Sequence, residues 1–106
     1  MTIRDLSLDE LRDEVNGVDE QIAVLASRRG MLIRAIAARK LDQGILNVES
    51  GDHAIATARE AVRRAGGDEM LVEEVYGKLA RIFEDLEVSE TRDHHSRHRA
   101  ATQRHD

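Results

Sequence analysis

The chain has 106 residues, 35% of them charged and 41% hydrophobic, with a net charge of −5 and neither cysteine nor proline. This composition is typical of one α-helical domain, because alanine, leucine, glutamate and arginine lose little rotamer freedom in a helix. Without cysteine there is no disulfide framework and no thiol nucleophile. The acidic balance and the two aromatic residues argue against a nucleic-acid partner, which requires a basic face and, for single strands, aromatic platforms.

The hydropathy of the chain also excludes a membrane partner. No segment approaches the roughly 20 apolar residues that span a bilayer. The N-terminal residues lack the basic-then-apolar pattern of a secretory signal. We therefore expect a cytoplasmic protein.

The first predicted helix begins after Ser7 and ends near Asp42. Ser7 and Glu10 form the S-x-x-E pattern, in which each side chain caps the backbone amide of the other residue. A helix of this length spans roughly 50 Å, more than a lone chain of this size can bury, so we expect a partner chain against it. Its apolar residues recur three and four positions apart: Leu8, Leu11, Val15, Val18, Ile22, Leu25, Leu32 and Ile36.

Arg29 occupies the position that interrupts this apolar stripe. No acidic residue lies three or four positions from Arg29, where a neighbour on the same helix face would be found. A cation on a buried face is costly unless it is paired or hydrogen-bonded. The next basic residue on that face is Lys40, and the two together predict a site for an anionic ligand.

The rest of the chain predicts a loop, two further helices and a tail. Residues 43–51 carry two glycines and read as a loop, and a short helix over 52–65 ends at Gly66 and Gly67. A third helix of medium length follows Asp68 and carries its apolar face to about Glu87. The predicted fold is all-α, with one long, one short and one medium helix in a domain over residues 1–89.

The C-terminal segment, residues 90–106, loses the apolar period and is predicted to be a disordered tail rich in histidine and arginine. His94, His95 and His98 could meet on one helix face, but no carboxylate or cysteine stands in firm ligand register with them. We therefore predict no metal site.

Several first-helix residues resemble those of the all-helical, AroQ-type chorismate mutases. In that family the helix carries L-R-x-x-I-x-x-I-D, then L-x-x-R-R ten residues after the aspartate, then a lysine eleven after the functional arginine. Arg12, Asp19, Arg29 and Lys40 fit this register without a gap. The segment 68–87 also looks like the family's last helix, so the resemblance covers residues 8–87.

This resemblance implies an intertwined helical homodimer with two active sites that convert chorismate to prephenate. The reaction needs no cofactor, nucleophile or metal. By the likeness, Arg29 of one chain and Arg12 of the other would hold the carboxylates of this small dicarboxylate substrate, because a guanidinium donates bidentately. Lys40 would donate to the breaking ether oxygen, and Glu87 would do so from the other side when protonated.

The chain departs from the family pattern in the region that contacts the ring hydroxyl. Many members carry Arg-Glu at the start of the second helix, where this chain has Asp52 and His53 after Glu49. Phe83 stands where a small hydroxyl residue is common. Glu49, Asp52, His53 and Phe83 are therefore the candidate substrate-binding residues that set the specificity.

These departures leave three functions open. The first is a chorismate mutase, weak or dependent on an activating partner enzyme that orders residues 43–51. The second is a relative that acts on a chorismate derivative, either cleaving isochorismate to salicylate and pyruvate or rearranging an amino-substituted chorismate. The third is a helical dimer that binds a protein or small anion without catalysis.

Overall fold

The computed structural model describes residues 2–103 and their side chains as far as Arg97. A short 3₁₀ turn, Ile3–Asp5, precedes three α-helices: α1 (Leu8–Asp42), α2 (Asp52–Arg64) and α3 (Glu69–Gln103). None of the described residues belongs to a β-strand. The predicted all-α class with three helices is therefore confirmed, together with the positions of the first two helices and the loop between them.

The N-terminus of α1 is fixed by the predicted capping box. The Ser7 backbone N–H donates to Glu10 Oε1 at 3.0 Å, and the Glu10 N–H donates to Ser7 Oγ at 3.1 Å. These bonds satisfy donors that have no partner inside the helix. They also hold the pKa of Glu10 below its ordinary value, chiefly through the bond from the Ser7 backbone N–H.

Because of this capping box, the stability of the helix start at Ser7 should decrease at acid pH. Because the pKa of Glu10 is lowered on folding, its stabilising contribution is present above the ordinary value of 4.5 and is lost as pH falls through the lowered pKa. We expect an NMR titration of the Glu10 carboxyl group to give a midpoint below 4.5. In Ser7→Ala, which removes the hydroxyl but keeps the backbone donor, the midpoint should rise only partly; an unchanged midpoint would exclude any hydroxyl contribution.

A glycine in the left-handed conformation terminates α1. Gly44 has a φ of 74°, a left-handed conformation that glycine adopts without steric cost. The Ile45 N–H then donates to the Lys40 carbonyl at 2.8 Å, which satisfies one of the free carbonyls at the helix end. The chain consequently turns back over the last turn of α1, the turn that carries Lys40.

The corner between α2 and α3 also follows the sequence prediction. Gly66, with a φ of 73°, ends α2, and the Asp68 carboxylate accepts the Leu71 N–H at 3.0 Å to cap α3. Arg63 spans the corner and donates to Glu69 Oε1 from Nε at 3.2 Å and from Nη2 at 3.0 Å. This forked contact lowers the pKa of Glu69, mainly through the hydrogen bond.

Contacts divide the chain into two compact units, Met1–Leu32 and Ile33–Asp106. The first unit contains the 3₁₀ turn and the first 25 residues of α1 but no other α-helix. Its predicted apolar stripe is exposed: Val15, Val18, Ile22 and Leu25 each expose between 49% and 62% of their surface. A single helix cannot bury its own apolar face, so this face has no cover within the unit.

In the second unit α2 packs against α3. Its buried residues, among those described, are Ala37, Ala80 and Glu87. The apolar face of α3 is divided: Val72, Tyr76 and Leu79 are half-buried, whereas Leu71, Val75 and Ile82 stay exposed. The broad apolar face predicted for this helix is therefore partly covered on the side of Val72, Tyr76 and Leu79 and exposed on the other side.

The third helix is longer than predicted. It has 35 residues, as many as α1, and the prediction of medium length is wrong. Helical backbone continues to Gln103, where the sequence predicted a disordered tail from residue 90. The segment contains no proline or glycine to stop the helix, and Glu90 and His94 form an i,i+4 pair within it.

None of the described helices combines the length and the apolar character that crossing a membrane requires.

Candidate functional site

Lys40 and Glu87 meet at the centre of the candidate site. Lys40 Nζ lies 3.1 Å from Glu87 Oε1, although 47 positions separate the two residues in sequence. The side chains are 14% and 7% exposed, so both charges are largely withdrawn from water. Two buried charges in this position are tolerated because each is the counterion of the other.

The loop between α1 and α2 supplies the other acceptors for Lys40. Lys40 Nζ lies 3.5 Å from Glu49 Oε1 and donates to the Asn47 carbonyl at 3.3 Å. With Glu87, these groups give three oxygen neighbours to an ammonium that has three hydrogens. The Glu49 side chain is 76% exposed, which makes it the neighbour that an incoming ligand displaces most easily.

The backbone explains why these side chains meet. Lys40 lies in the last turn of α1, and the glycine turn at Gly44 folds the following loop back over it. Glu87 lies in the half of α3 that packs near the start of α2. The site therefore combines the end of one helix, a loop and the middle of another helix.

A second ionic cluster lies beside the first on α1 and α3. Arg34 Nε is 3.9 Å from Glu90 Oε2, and His94 Nε2 is 3.1 Å from Glu90 Oε1. Glu90 follows Glu87 by one helical turn, so both acids face the last turns of α1. Sequence reasoning did not find this cluster, because residues beyond 89 were assigned to a disordered tail.

Arg12 and Arg29 lie on the part of α1 that belongs to the first unit. Arg12 is exposed and its Nη1 lies 3.6 Å from Asp9 Oδ1. Arg29 is half-buried. The sequence predicted a buried position for Arg29 in a helix that packs against a partner chain; within the single chain its burial is intermediate, because the surrounding stripe is itself exposed.

The other predicted substrate-binding residues lie on α2 and α3. Asp52 and His53 form the first turn of α2 and are exposed, and neither has a hydrogen bond from its side chain among the described contacts. Phe83 is half-buried on α3, one turn before Glu87. Among the predicted residues, the structure brings Glu49 and Glu87 into direct contact with Lys40.

Three contributors were missed from the sequence: the carbonyl of Asn47, Gly51 and Glu84. The Gly51 N–H donates to Glu84 Oε1, which joins the loop to α3. A backbone carbonyl leaves no signature in a sequence. Glu84 could have been suspected, since it lies three residues before Glu87 and so shares its helix face.

Within the described part of the chain, no group of three or more histidine, cysteine, aspartate or glutamate side chains is close enough together to hold a metal ion. The His98 side chain, part of the predicted histidine cluster, lies outside the described residues. The arrangement can therefore offer hydrogen bonds and charge to a ligand.

Comparison with models of known protein families, with curated proteins and with solved structures finds no match to this chain.

Proposed function

We propose that the protein is a chorismate mutase, which rearranges chorismate to prephenate within one bound molecule. The observation that carries this proposal is the buried contact between Lys40 and Glu87, 3.1 Å apart and 47 positions apart in sequence. These are the two residues that the sequence resemblance assigned to the ether oxygen of the substrate. Their meeting supports Lys40 as the donor, whereas Glu87, as the counterion of Lys40, accepts from its ammonium and orients it.

The proposed chemistry requires only positioning and charge. Lys40 donates to the ether oxygen on which negative charge develops as the C–O bond breaks, while a C–C bond forms elsewhere in the same molecule. Holding the dicarboxylate in a compact conformer supplies the remaining rate enhancement. In the free protein three acceptors surround the Lys40 ammonium, so the ether oxygen of the substrate must replace one of them. The exposed Glu49 is the acceptor that it replaces.

The proposal includes a homodimer. The exposed stripe of α1 in the first unit, with Ile22 at its middle, is a continuous apolar face of the kind that marks a protein interface. A second copy is the proposed occupant, since the heptad spacing matches a helix of the same kind. In this arrangement Arg12 of the second copy and Arg29 of the first hold the two substrate carboxylates, as the resemblance implies.

A steady-state assay of purified protein with chorismate tests the proposal, with the absorbance of chorismate followed as it is consumed. Arg29→Ala is expected to lower kcat/KM by about 100-fold, the loss typical of a charged hydrogen-bond pair. Arg28→Ala is the matched control, because Arg28 is adjacent and exposed. Turnover that survives Arg29→Ala, or no turnover by the wild type, would contradict the proposal.

A second candidate is an enzyme that acts on an amino-substituted chorismate. Glu49 and Glu87 place two carboxylates around one ammonium, a local excess of negative charge that suits a cationic substituent on the ligand. The same assay with this substrate distinguishes the two candidates, since only the amino compound would be turned over. Isochorismate serves as the third substrate, and binding without any turnover would indicate a non-catalytic dimer.

A further inference from the structure

Gly51 lies unusually close to α3. A Cβ atom built on Gly51 would lie 2.5 Å from the Ala80 Cβ and 3.0 Å from Glu84 Oε1, distances that a real side chain does not tolerate. Gly51 has a φ of −75°, which any residue adopts, so glycine is required here by the close approach of the helices. Ala80 is 3% exposed, so its methyl group is packed against neighbouring atoms.

The same approach brings the Glu84 carboxylate to the start of α2. The Gly51 N–H donates to Glu84 Oε1, and the Gly51 carbonyl accepts the Ile55 N–H at 3.0 Å, the first hydrogen bond of the helix. Glu84 therefore satisfies the backbone N–H of the N-cap residue, the donor that an N3 acid binds in a capping box, while Gly51 provides no side-chain cap. A negative group at this helix end is also favoured by the helix dipole.

The loop over Lys40 is consequently held at both ends. At its first end the Lys40 carbonyl accepts the Ile45 N–H, and the Lys40 ammonium contacts Asn47 and Glu49. At its second end Glu84 holds Gly51. Only Ser50 separates Glu49 from Gly51. A shift of Gly51 must therefore move the acceptors of Lys40.

We propose that Glu84 is a positioning residue, which fixes the 43–51 loop so that Asn47 and Glu49 remain on Lys40. Glu84 acts through Gly51 and does not touch the reacting atoms. Glu84 and Glu87 stand one turn apart on α3, so this helix sets both the loop and the counterion of the lysine. The inference rests on the proposed function only in treating the surroundings of Lys40 as a ligand site.

The two lysines of the chain allow a direct test. Lys40 is largely shielded, whereas Lys78 is exposed and serves as the internal reference. Brief acetylation with acetic anhydride, followed by peptide mass spectrometry, gives the ratio of Lys40 to Lys78 modification. We expect Glu84→Ala to raise this ratio about tenfold, as expected for the loss of a charged hydrogen bond.

Two comparisons make the result specific to the contact. Asp85→Ala removes an adjacent exposed acid and should leave the ratio unchanged. Gly51→Ala should raise the ratio as Glu84→Ala does, and Gly51→Ala combined with Ala80→Gly should lower it again, because removal of the Ala80 methyl relieves the 2.5 Å contact. Circular dichroism of each variant checks that the helices persist.

An unchanged ratio in folded Glu84→Ala would overturn the proposal, as would failure of Ala80→Gly to reverse Gly51→Ala. If Glu84→Ala does not fold, the Gly51 pair decides the question alone. Acetylation requires no turnover. Wild-type protein that is inactive on chorismate would therefore refute the proposed function, while the acetylation ratio would still test the role of Glu84. Where there is turnover, Glu84→Ala should raise KM more than it lowers kcat, since ligand placement is what the loop controls.

Discussion

Lys40→Ala is expected to lower kcat for chorismate by about 10²–10³-fold, the effect of removing one preorganised donor from a developing oxyanion. The substitution also leaves the Glu87 carboxylate buried without its counterion. Loss of one partner from a buried pair costs about 3 kcal/mol of unfolding free energy, at the lower end of the usual range because Lys40 is still 14% exposed. Steady-state kinetics and urea denaturation measure the two effects separately.

The double variant Lys40→Ala with Glu87→Gln separates catalysis from stability. A neutral amide is less costly to bury than a carboxylate without a partner, so most of the lost unfolding free energy should return. Activity should not return, because no cation faces the ether oxygen. Recovery of activity in the double variant would show that Lys40 stabilises the fold and has no part in the chemistry.

Ile22→Glu is expected to dissociate the proposed homodimer. Burial of one isoleucine contributes about 2 kcal/mol, and a two-fold interface contains the position twice, so the loss is about 4 kcal/mol or roughly 10³-fold in the dimer dissociation constant. Sedimentation equilibrium should show a monomer at concentrations where the wild type is dimeric. Helix content should fall as well, since the first unit has no other helix to cover this face.

The matched control is Asn16→Glu, which adds the same charge to the same helix outside the apolar stripe. This variant should remain dimeric and fully helical. A wild-type protein that is monomeric with an intact first unit would contradict the dimer, and it would also remove the proposed route by which Arg12 reaches the substrate. Loss of the dimer in both variants would instead indicate a general effect of charge.

The sequence was a good guide where structure depends on neighbours along the chain. The Ser7 and Glu10 capping box, the left-handed turn at Gly66 and the cap at Asp68 all involve residues three or four positions apart. Such contacts follow from residue type and spacing alone. The apolar period is a poor guide to the end of α3, because the period ends near Glu87 whereas the helical backbone continues to Gln103.

The candidate site was only partly predictable. Spacing on α1 and the family resemblance singled out Lys40, and the family resemblance singled out Glu87. Neither pattern indicated that Asn47 offers its carbonyl or that Glu84 holds Gly51. Those contacts depend on how the loop returns over α1, which a helical period does not specify.

By itself the sequence determined the starts of the first and third helices with their caps and the glycine turns, because these rest on hydrogen bonds between near neighbours. The tertiary structure alone decided that Glu87 is the counterion of Lys40 and that Glu84 binds the N–H of Gly51 at the start of the second helix, contacts that join residues 47 and 33 positions apart. It also decided which apolar residues are covered, since the stripe of α1 that the sequence marked for burial is exposed in the chain. Burial depends on the partner surface, and a sequence pattern specifies the face without specifying what covers it.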